Sequence, residues 1–538
     1  MLGIESSLAT PANVLLVFPR FDPRSFWNLH ELCEIRGVRC ASPPLGLITV
    51  AALLPPHWRT RLVDRNAEEL TDADLAWADL VMTGGMLKQQ HDTLALIDLC
   101  RARGKPVVIG GPDATSQPDV YRGADFLVIG EAEGIIDEFV DVWSSGATSG
   151  VFEAPKFQVD VTKSPVPRFD LLTHTHYVNI GVQFSRGCPF NCEFCDIIEL
   201  YGRVPRAKTN AQMLTELDAL YDLGYRGHVD FVDDNLIGNK KALKRFLPEL
   251  AAWQRSRGTP FRFSTEASIN LADDPELLRM LRQANFFVIF VGIESPDTDT
   301  LILTQKKQNT RRSLADSIHK IYAAGIVVIG GFIVGFDSEK ASVADAMIDC
   351  IEATSVPVCM VGLLTALPNT QLTRRLEREG RLLPLADNAG DQCTAGLNFV
   401  TLRRRRDVLA DYRAVLQSVF HPDAYFARVK ALSRALDCSG QPTAFSFAEV
   451  LEAIRMMGRL AWHIHARHPG LRRHFWRAFI DCARNNFAAL ERVMTMVAFY
   501  LHLGPFARSV IADLDAEIAM LDSEEALTPR KLAAPIAV

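Results

Sequence analysis

The sequence of 538 residues predicts an α/β protein with a mainly α-helical C-terminal domain. Three observations carry this prediction. Short β-branched apolar runs alternate with amphipathic segments over residues 1–150, and six further steps of the same kind follow within residues 175–380. From residue 381 to 538 the alternation stops and helical periodicity dominates. A single apolar core stops growing at about 250–300 residues, so a chain of this length is expected to divide into domains.

The first region, residues 1–150, predicts a doubly wound, Rossmann-like parallel sheet. Its strand candidates are residues 14–18, 60–63, 80–83, 106–110 and 126–130. Ligands on such sheets bind beyond the carboxyl ends of the strands. Turn chemistry explains each glycine there taken singly, but three glycine-rich ends together favour a ligand. The candidate ligand-binding residues at these ends are Thr83, Gly84, Gly85, Gly110, Gly111, Gly130 and Glu131.

Residues 151–174 hold three prolines and no periodicity, which predicts a linker before the second region. Repeated βα steps in residues 175–380 predict a parallel (βα)6 partial barrel, whose chemistry belongs at the C-terminal ends of its strands. Its strand candidates are residues 178–184, 228–233, 262–267, 286–294, 327–336 and 358–367.

A cysteine cluster with the spacing C-x3-C-x2-C follows the first barrel strand, at Cys188, Cys192 and Cys195. Three thiolates are an odd number for disulfides and one short of a tetrahedral zinc site. They would leave one iron of a [4Fe–4S] cluster open, and an open metal position is where a ligand binds. From the spacing alone, zinc with a distant fourth ligand remains the alternative.

Composition excludes several classes of function. The net charge of −6 and pI of about 6.1 give no polyelectrolyte signature, so nucleic acid is not an expected partner. The longest apolar runs are far shorter than the about 20 residues of a membrane span. The N-terminus has Glu5 and no basic segment before its apolar run, unlike a signal peptide. Together with scattered cysteines, which favour a reducing compartment, these features predict a cytoplasmic protein.

The stretch RGCPFNCEFC (186–195) resembles the signature of radical S-adenosylmethionine (SAM) enzymes. VDDN (232–235), STEAS (264–268), GIES (292–295) and GFIVGFD (331–337) resemble that family's later strand ends. TALPNTQL (365–372) resembles its P-G-T segment, with Asn369 in place of the glycine. The resemblance implies a partial TIM barrel of radical SAM type, with a [4Fe–4S] cluster on the three cysteines. The SAM contacts that it implies are Phe194, Asp233, Asp234, Glu266, Glu294, Ser295, Gly331 and Ile333.

The N-terminal segments 43–55, 108–115 and 128–133 resemble the cobalamin-binding domain that is fused to one large class of these enzymes. The resemblance implies that the seven residues at the glycine-rich strand ends contact cobalamin. Asp113 stands where a histidine is frequent, and the D-x-H-x-x-G motif is absent. The loop 63–70 lacks a histidine, so no histidine from it is expected to coordinate the corrin.

Residues 390–429 resemble the helical extension of a subgroup that includes hopanoid C-2 methylases and bacteriochlorophyll side-chain methylases. The resemblance implies reductive cleavage of SAM to a 5′-deoxyadenosyl radical and methylation of an unactivated carbon through methylcobalamin. The implied substrate is a hydrophobic small molecule, lipid or tetrapyrrole-like, and the electron donor is of the flavodoxin or ferredoxin kind. A non-methylating cyclisation or rearrangement is the alternative, and a cofactor-binding sensor is a distant one.

Two further features of the C-terminal region carry interpretations. The run RRRR (403–406) is typical of a solvated face, with an anionic substrate or a membrane surface as the alternative. The aromatic and methionine residues of the C-terminal helices are interpreted as mostly core, with part of them available to line an apolar substrate pocket. These residues are Trp462, Phe475, Trp476, Phe479, Met494 and Met496.

Overall fold

The computed structural model describes residues 12–384, 392–394, 396–439 and 447–527. It confirms the predicted fold class, with two parallel six-stranded sheets followed by a helical region. Within these ranges no helix is both long enough and apolar enough to cross a membrane.

The N-terminal sheet is parallel throughout. Its strands are β1 (Asn13–Phe18), β2 (Arg59–Asp64), β3 (Leu80–Gly84), β4 (Val107–Gly110), β5 (Phe126–Ile129) and β6 (Gly150–Glu153). The helices between them are α1 (His30–Arg36), α2 (Leu45–Leu53), α3 (Asp72–Trp77), α4 (Gln90–Ala102), α5 (Gly111–Ser116) and α6 (Ile136–Ser144). The strand order is β2-β1-β3-β4-β5-β6, so it reverses beside β1 and β3, where such sheets form their ligand crevice.

Strand β6 is not indicated by the sequence pattern. It lies at the edge of the sheet, where Val151 and Glu153 are exposed and Phe152 is buried. An edge strand with one buried residue lacks the continuous apolar run of a central parallel strand. Phe152 packs on Phe126 and Phe139, and these contacts attach β6 to the sheet.

The second sheet contains all six predicted strands, with somewhat different ends. They are β7 (Ile180–Val182), β10 (Gly227–Phe231), β11 (Phe261–Glu266), β12 (Phe286–Glu294), β13 (Val327–Val334) and β14 (Cys359–Leu363). They pair in parallel in chain order, and among the described strands β7 and β14 do not pair with each other. The sheet is therefore an open partial barrel. A short antiparallel pair, β8 (Ser185–Arg186) and β9 (Arg206–Ala207), flanks the cysteine segment.

Crossover helices connect the barrel strands, as parallel pairing requires. They are α7 (Ile197–Leu200), α8 (Asn210–Asp222), α9 (Lys240–Ser256), α10 (Pro275–Gln283), α11 (Thr298–Leu303), α12 (Leu314–Ala323) and α13 (Val343–Thr354). A further helix, α14 (Gln371–Arg378), follows the last barrel strand. Strand β13 is buried along its whole length, which matches its uninterrupted apolar sequence.

The C-terminal helices pack on the barrel and on each other. They are α15 (Arg405–Val419), α16 (Pro422–Ala435), α17 (Phe447–Arg467), α18 (Arg472–Asn485) and α19 (Leu490–Leu527). The buried Arg428 attaches α16 to the barrel, because its guanidinium pairs with Glu352 and donates to Val356 O at 2.9 Å. One apolar core runs through the barrel, these helices and α1.

Two interpretations of the C-terminal region are resolved by this packing. Phe475, Met494 and Met496 are buried as expected, but Trp462 and Trp476 are exposed, because they lie on the outer sides of α17 and α18. Each arginine of the run 403–406 pairs with a carboxylate, so the run is not a free cationic surface. The pairs are Arg403–Asp411, Arg404–Asp407, Arg405–Glu517 and Arg406–Asp522.

Candidate active site

The cysteine loop (188–195) follows β7 and β8 at the C-terminal ends of the barrel strands. Backbone hydrogen bonds hold it on two sides. Cys188 N donates to Gly202 O at 3.2 Å, and Glu193 N donates to Thr304 O at 3.0 Å. The loop is thereby fixed between the segment before β9 and the end of α11, at the mouth of the barrel.

Side-chain amides point at two of the sulfurs. Asn235 Nδ2 lies 3.7 Å from Cys188 Sγ, and Gln308 Nε2 lies 3.7 Å from Cys192 Sγ. Burial raises the pKa of the Cys188 thiol, and it raises that of Cys195 well above its usual range. A metal bound to such thiols offsets this effect by deprotonating them. Amide donors to sulfur are typical of iron–sulfur sites, where they adjust the reduction potential, so this donor set fits a cluster.

Within the described ranges, no three His, Cys, Asp or Glu side chains converge on a position for a single metal ion. A tetrahedral zinc site requires that convergence. An iron–sulfur cluster does not, because it is several atoms wide and its thiolates bind different irons. The choice of a cluster over zinc therefore rests on the resemblance of the cysteine segment to the radical SAM signature and on the amide donors at the sulfurs.

A buried cation lies beside the cysteine loop. Lys306 Nζ donates to Glu294 Oε1 at 2.5 Å, and both side chains are almost fully buried. Burial lowers the pKa of Lys306, but the charges of Glu294 and Cys192 raise it beyond its usual range. The Lys306 Nζ atom also lies 5.9 Å from the centre of the Phe194 ring. Lys306 therefore remains protonated and faces both the sulfurs and the predicted SAM-binding aromatic residue.

The backbone at the end of β12 is shaped around this ion pair. Glu294 has a φ of 67°, in the left-handed region, and the β12–β13 register shifts between Gly292 and Glu294. A Cβ on Gly292 would collide with Glu294 Oε1 and lie 3.0 Å from Lys306 Nζ. Asn309 Nδ2 holds the bulge by donating to Gly292 O at 3.0 Å and to Ile293 O at 2.8 Å. Strain of this kind is concentrated at functional sites.

The two aspartates after β10 bind the backbone that leads into the cysteine loop. Asp233 accepts hydrogen bonds from Phe184 N at 2.9 Å, Ser185 N at 2.5 Å and Ser185 Oγ at 2.6 Å. Asp234 accepts from Gly187 N at 3.0 Å. Burial raises the pKa of Asp233 to about 7 and that of Asp234 to about 6. Asp233 is buried and holds the backbone before the loop, which gives it a positioning role, and its contact with SAM stays a prediction.

Glu266 lies at the end of β11, at the mouth of the barrel. Its side chain is accessible although protein surrounds it, and within the described residues its carboxyl group has no hydrogen-bond or ion-pair partner. Burial raises its pKa to about 8, and the nearby Asp230 and Asp234 add to this shift. An accessible, unpaired carboxyl group with a raised pKa at the mouth of a barrel is a candidate for ligand contact.

The other predicted SAM-binding residues lie at the same edge of the sheet. The Phe194 ring packs on Phe336 with a centroid distance of 5.7 Å. Gly331 and Ile333 lie on β13, beside the end of β12. Ser295 is fully buried, and its hydroxyl accepts a hydrogen bond from the backbone before α11, so it serves local structure.

The glycine-rich ends of β3, β4 and β5 lie side by side in the N-terminal sheet, as predicted. Packing within the protein explains two of the glycines, because a Cβ on Gly84 would collide with Gly110 O and one on Gly85 would lie 2.8 Å from Gln89 Oε1. Thr83 Oγ1 is buried and has no partner among the described residues. Such an orphaned hydroxyl fits a bound ligand. The turn glycines Gly111 and Gly130 both have a φ of 90°.

Glu131 pairs with two arginines of the second region. Its two carboxylate oxygens pair with Arg186 Nη1 at 3.0 Å and Arg206 Nη1 at 2.8 Å. Glu133 joins the same network through Arg186 Nη2 at 2.6 Å. Arg186 lies two residues before Cys188, so this network attaches the N-terminal sheet to the start of the cysteine loop. Glu131 therefore takes part in this domain contact, and its contact with cobalamin stays a prediction.

Four residues of this region were not among the predicted site residues, namely Lys306, Gln308, Asn235 and Asn369. The first two lie in the polar segment QKKQN (305–309), which carries no motif by itself. The structure explains why asparagine stands at position 369 in place of the expected glycine. Its φ is 63°, which asparagine tolerates better than most residues, and its Nδ2 donates to Ser116 O of the N-terminal domain at 2.7 Å.

Comparison with protein-family models gives two matches. Residues 182–350 match the model described as Radical SAM superfamily, and residues 370–516 match Domain of unknown function (DUF4070). An uncharacterized methyltransferase of Synechocystis sp. is 41% identical over 94% of each chain. The hopanoid C-2 methylase of Rhodopseudomonas palustris is 34% identical over 93% of this chain and 94% of its own.

More distant relatives and solved structures are consistent with this fold. The bacteriochlorophyllide d C-12(1)-methyltransferase of Chlorobaculum tepidum is 25% identical over 61% of this chain and 72% of its own. The cobalamin-dependent SAM radical enzyme OxsB superposes with a TM-score of 0.59 at 15% identity, covering 95% of this chain and 82% of that one. The methyltransferase TsrM from Kitasatospora setae superposes with a TM-score of 0.58 at 16% identity, covering 84% of this chain and 99% of that one.

Proposed function

This chain belongs to the radical SAM superfamily, and we propose that it is a cobalamin-dependent C-methyltransferase acting on a hydrophobic small molecule. The observation that carries the proposal is the similarity to hopanoid C-2 methylase along almost the whole of both chains. A substrate of the lipid or tetrapyrrole kind is supported by the names of two relatives, a hopanoid C-2 methylase and a bacteriochlorophyllide d methyltransferase. We further propose a cytoplasmic enzyme that receives electrons from a flavodoxin- or ferredoxin-like donor.

The residues at the barrel mouth support this function by their chemistry. Cys188, Cys192 and Cys195 would hold a [4Fe–4S] cluster with one open iron position. Lys306 keeps a positive charge near Cys192 and Cys195, and Glu266 has an accessible carboxyl group at the barrel mouth. When bound, the cofactors would supply reductive cleavage of SAM and transfer of a methyl group from the corrin.

The two sheets are joined where such a reaction needs them to be close. Arg186 reaches Glu131 and Glu133 of the N-terminal domain, and Asn369 reaches Ser116 from the other side of the cysteine loop. These contacts hold the glycine-rich strand ends, which would bind cobalamin, against the barrel mouth. The protein's part is then to position both cofactors and to exclude water.

The test uses anaerobically reconstituted protein with hydroxocobalamin, SAM and a strong reductant. We expect 5′-deoxyadenosine, S-adenosylhomocysteine and methylcobalamin together, quantified by chromatography and mass spectrometry. Cys192→Ala should abolish deoxyadenosine, whereas Cys350→Ala, on helix α13 outside the cysteine loop, should not. Deoxyadenosine without methylated corrin or S-adenosylhomocysteine would exclude methyl transfer and favour a cyclisation or rearrangement.

A further inference from the structure

The outer side of helices α17 and α18 exposes large apolar side chains. Trp462 is 58% exposed, Trp476 43% and Phe487 73%, beside Ile454 and Ile480. Ile454 and Trp462 lie eight positions apart on α17, and Trp476 and Ile480 lie four apart on α18, which places each pair on one side of its helix. Phe487 lies in the short turn that follows α18. Trp476 Nε1 lies 3.3 Å from His465 Nε2 on α17, so the two helices present one continuous surface. We call this surface, with Ile454, Trp462, Trp476, Ile480 and Phe487, the tryptophan face.

The tryptophan face is also basic. Residues 451–490 contain seven arginines and two acidic residues, whereas the whole chain has a net charge of −6. Arg473, Arg477 and Arg484 are exposed and share one side of α18 with Trp476. In the part of the chain that the structure describes, these three guanidinium groups form no ion pair or hydrogen bond. The run 403–406 differs, because each of its arginines has an acidic partner.

We propose that the tryptophan face docks on the surface of an anionic lipid bilayer. Tryptophan is favoured at the depth of the lipid headgroups, where its ring is apolar and its N–H remains hydrated. Arginine pairs with phosphate in a bidentate manner, and its stem covers apolar surface. A face that combines unpaired arginines with exposed aromatic rings is therefore complementary to anionic headgroups over an apolar interior. The binding is peripheral, and it would bring the enzyme to substrates that partition into the membrane.

Vesicle co-sedimentation of the full-length protein tests the proposal. The vesicles are pure phosphatidylcholine, or the same lipid with phosphatidylglycerol, at low and high salt. We expect binding to the anionic vesicles that weakens with salt. Replacing Arg473, Arg477 and Arg484 together by Glu should weaken binding about 100-fold or more, because each basic residue contributes roughly a fivefold to tenfold factor. A control of equal charge change replaces Lys241, Arg245 and Arg255, exposed residues of α9, by Glu and should bind as the parent protein does.

A second variant tests the apolar component. Trp462→Ala with Trp476→Ala should weaken binding to both kinds of vesicle without changing its salt dependence. Three outcomes would overturn the proposal: no binding to anionic vesicles at low salt, equal binding by the triple arginine variant, or self-association in solution that the same substitutions abolish. The last outcome would make the face an interface between copies of this chain. Vesicle binding requires no cofactor, so its failure is distinguishable from failure of the proposed methyl transfer.

Discussion

Lys306 Nζ lies 2.5 Å from Glu294 Oε1, and about nine-tenths of each side chain is buried at the mouth of the barrel. The two residues are brought together by the left-handed backbone of Glu294 and by the missing side chain at Gly292. A buried ion pair gives little net stability, but removing one partner leaves the other charge buried and unpaired. The stability of the barrel mouth is therefore expected to depend on the presence of both residues.

Removing the cation alone should destabilise the protein. We expect Lys306→Met to lower the free energy of unfolding of cluster-free protein by about 3–5 kcal/mol, seen as a lower thermal midpoint. The double variant Lys306→Met/Glu294→Gln should recover most of this loss, because no buried charge is then left unpaired. Equal midpoints for the single and the double variant would contradict the role of the pair.

A methyl group at Gly292 should also disturb the ion pair between Lys306 and Glu294. Its Cβ would collide with the Glu294 carboxylate. Gly292→Ala should therefore lower the free energy of unfolding by about 1–3 kcal/mol and reduce the deoxyadenosine yield. The matched control is Gly458→Ala in α17, where a Cβ meets nothing within 4 Å. That control should keep full yield and raise stability by up to about 1 kcal/mol. Full yield from Gly292→Ala would refute this requirement for space.

Stability should depend on pH through Glu266. Burial raises the pKa of Glu266 from 4.5 to about 8, so the folded state binds a proton that the unfolded state has lost between these values. The stability contribution of this carboxyl group therefore falls as pH rises through that window. Glu266→Gln stays neutral, and its thermal midpoint should exceed that of the parent protein at pH 8 and approach it at pH 5. A difference that is independent of pH would argue against a raised pKa.

The contact between the N-terminal domain and the barrel should depend on Arg186. We expect Arg186→Gln to lower the free energy of unfolding by about 3–5 kcal/mol, because it leaves the buried carboxylates of Glu131 and Glu133 without this partner. The region near residue 150 should also become more sensitive to protease. The control Arg168→Gln, whose partner Asp170 is half exposed, should cost about 1 kcal/mol or less.

The same contact should be sensitive to acid. Burial raises the pKa of Glu133. The hydrogen bond and charge of Arg186 lower it by more than burial raises it, so the pKa falls from 4.5 to about 2. Its stabilising contribution is therefore present above pH 4.5 and is lost as pH falls towards 2. Thermal midpoints measured across this range should show a smaller acid dependence in Arg186→Gln than in the parent protein. The same dependence in both would contradict the assignment.

The strands and the cysteine motif were predictable because their signals are local. An uninterrupted apolar run such as β13 indicates a buried parallel strand wherever it lies. The edge strand β6 was missed, because Phe152 is its one buried residue and a single position carries no periodicity. The seven residues predicted to contact cobalamin share a sheet edge, and the ion pairs of Glu131 on that edge with two arginines near the cysteine loop could not be predicted from the sequence.

The sequence by itself determined the α/β class, the order of the βα steps, the three cysteines at a strand end and the helical C-terminal region. Periodicity and spacing within a few residues encode all of these. Only the tertiary structure decided that Asp233 is buried beneath the loop while Glu266 stays open, that Lys306 faces the sulfurs, and that Trp476 points outward. Each of these depends on contacts between residues far apart in the chain, such as Arg186 with Glu131, and no local pattern records which side chains will meet.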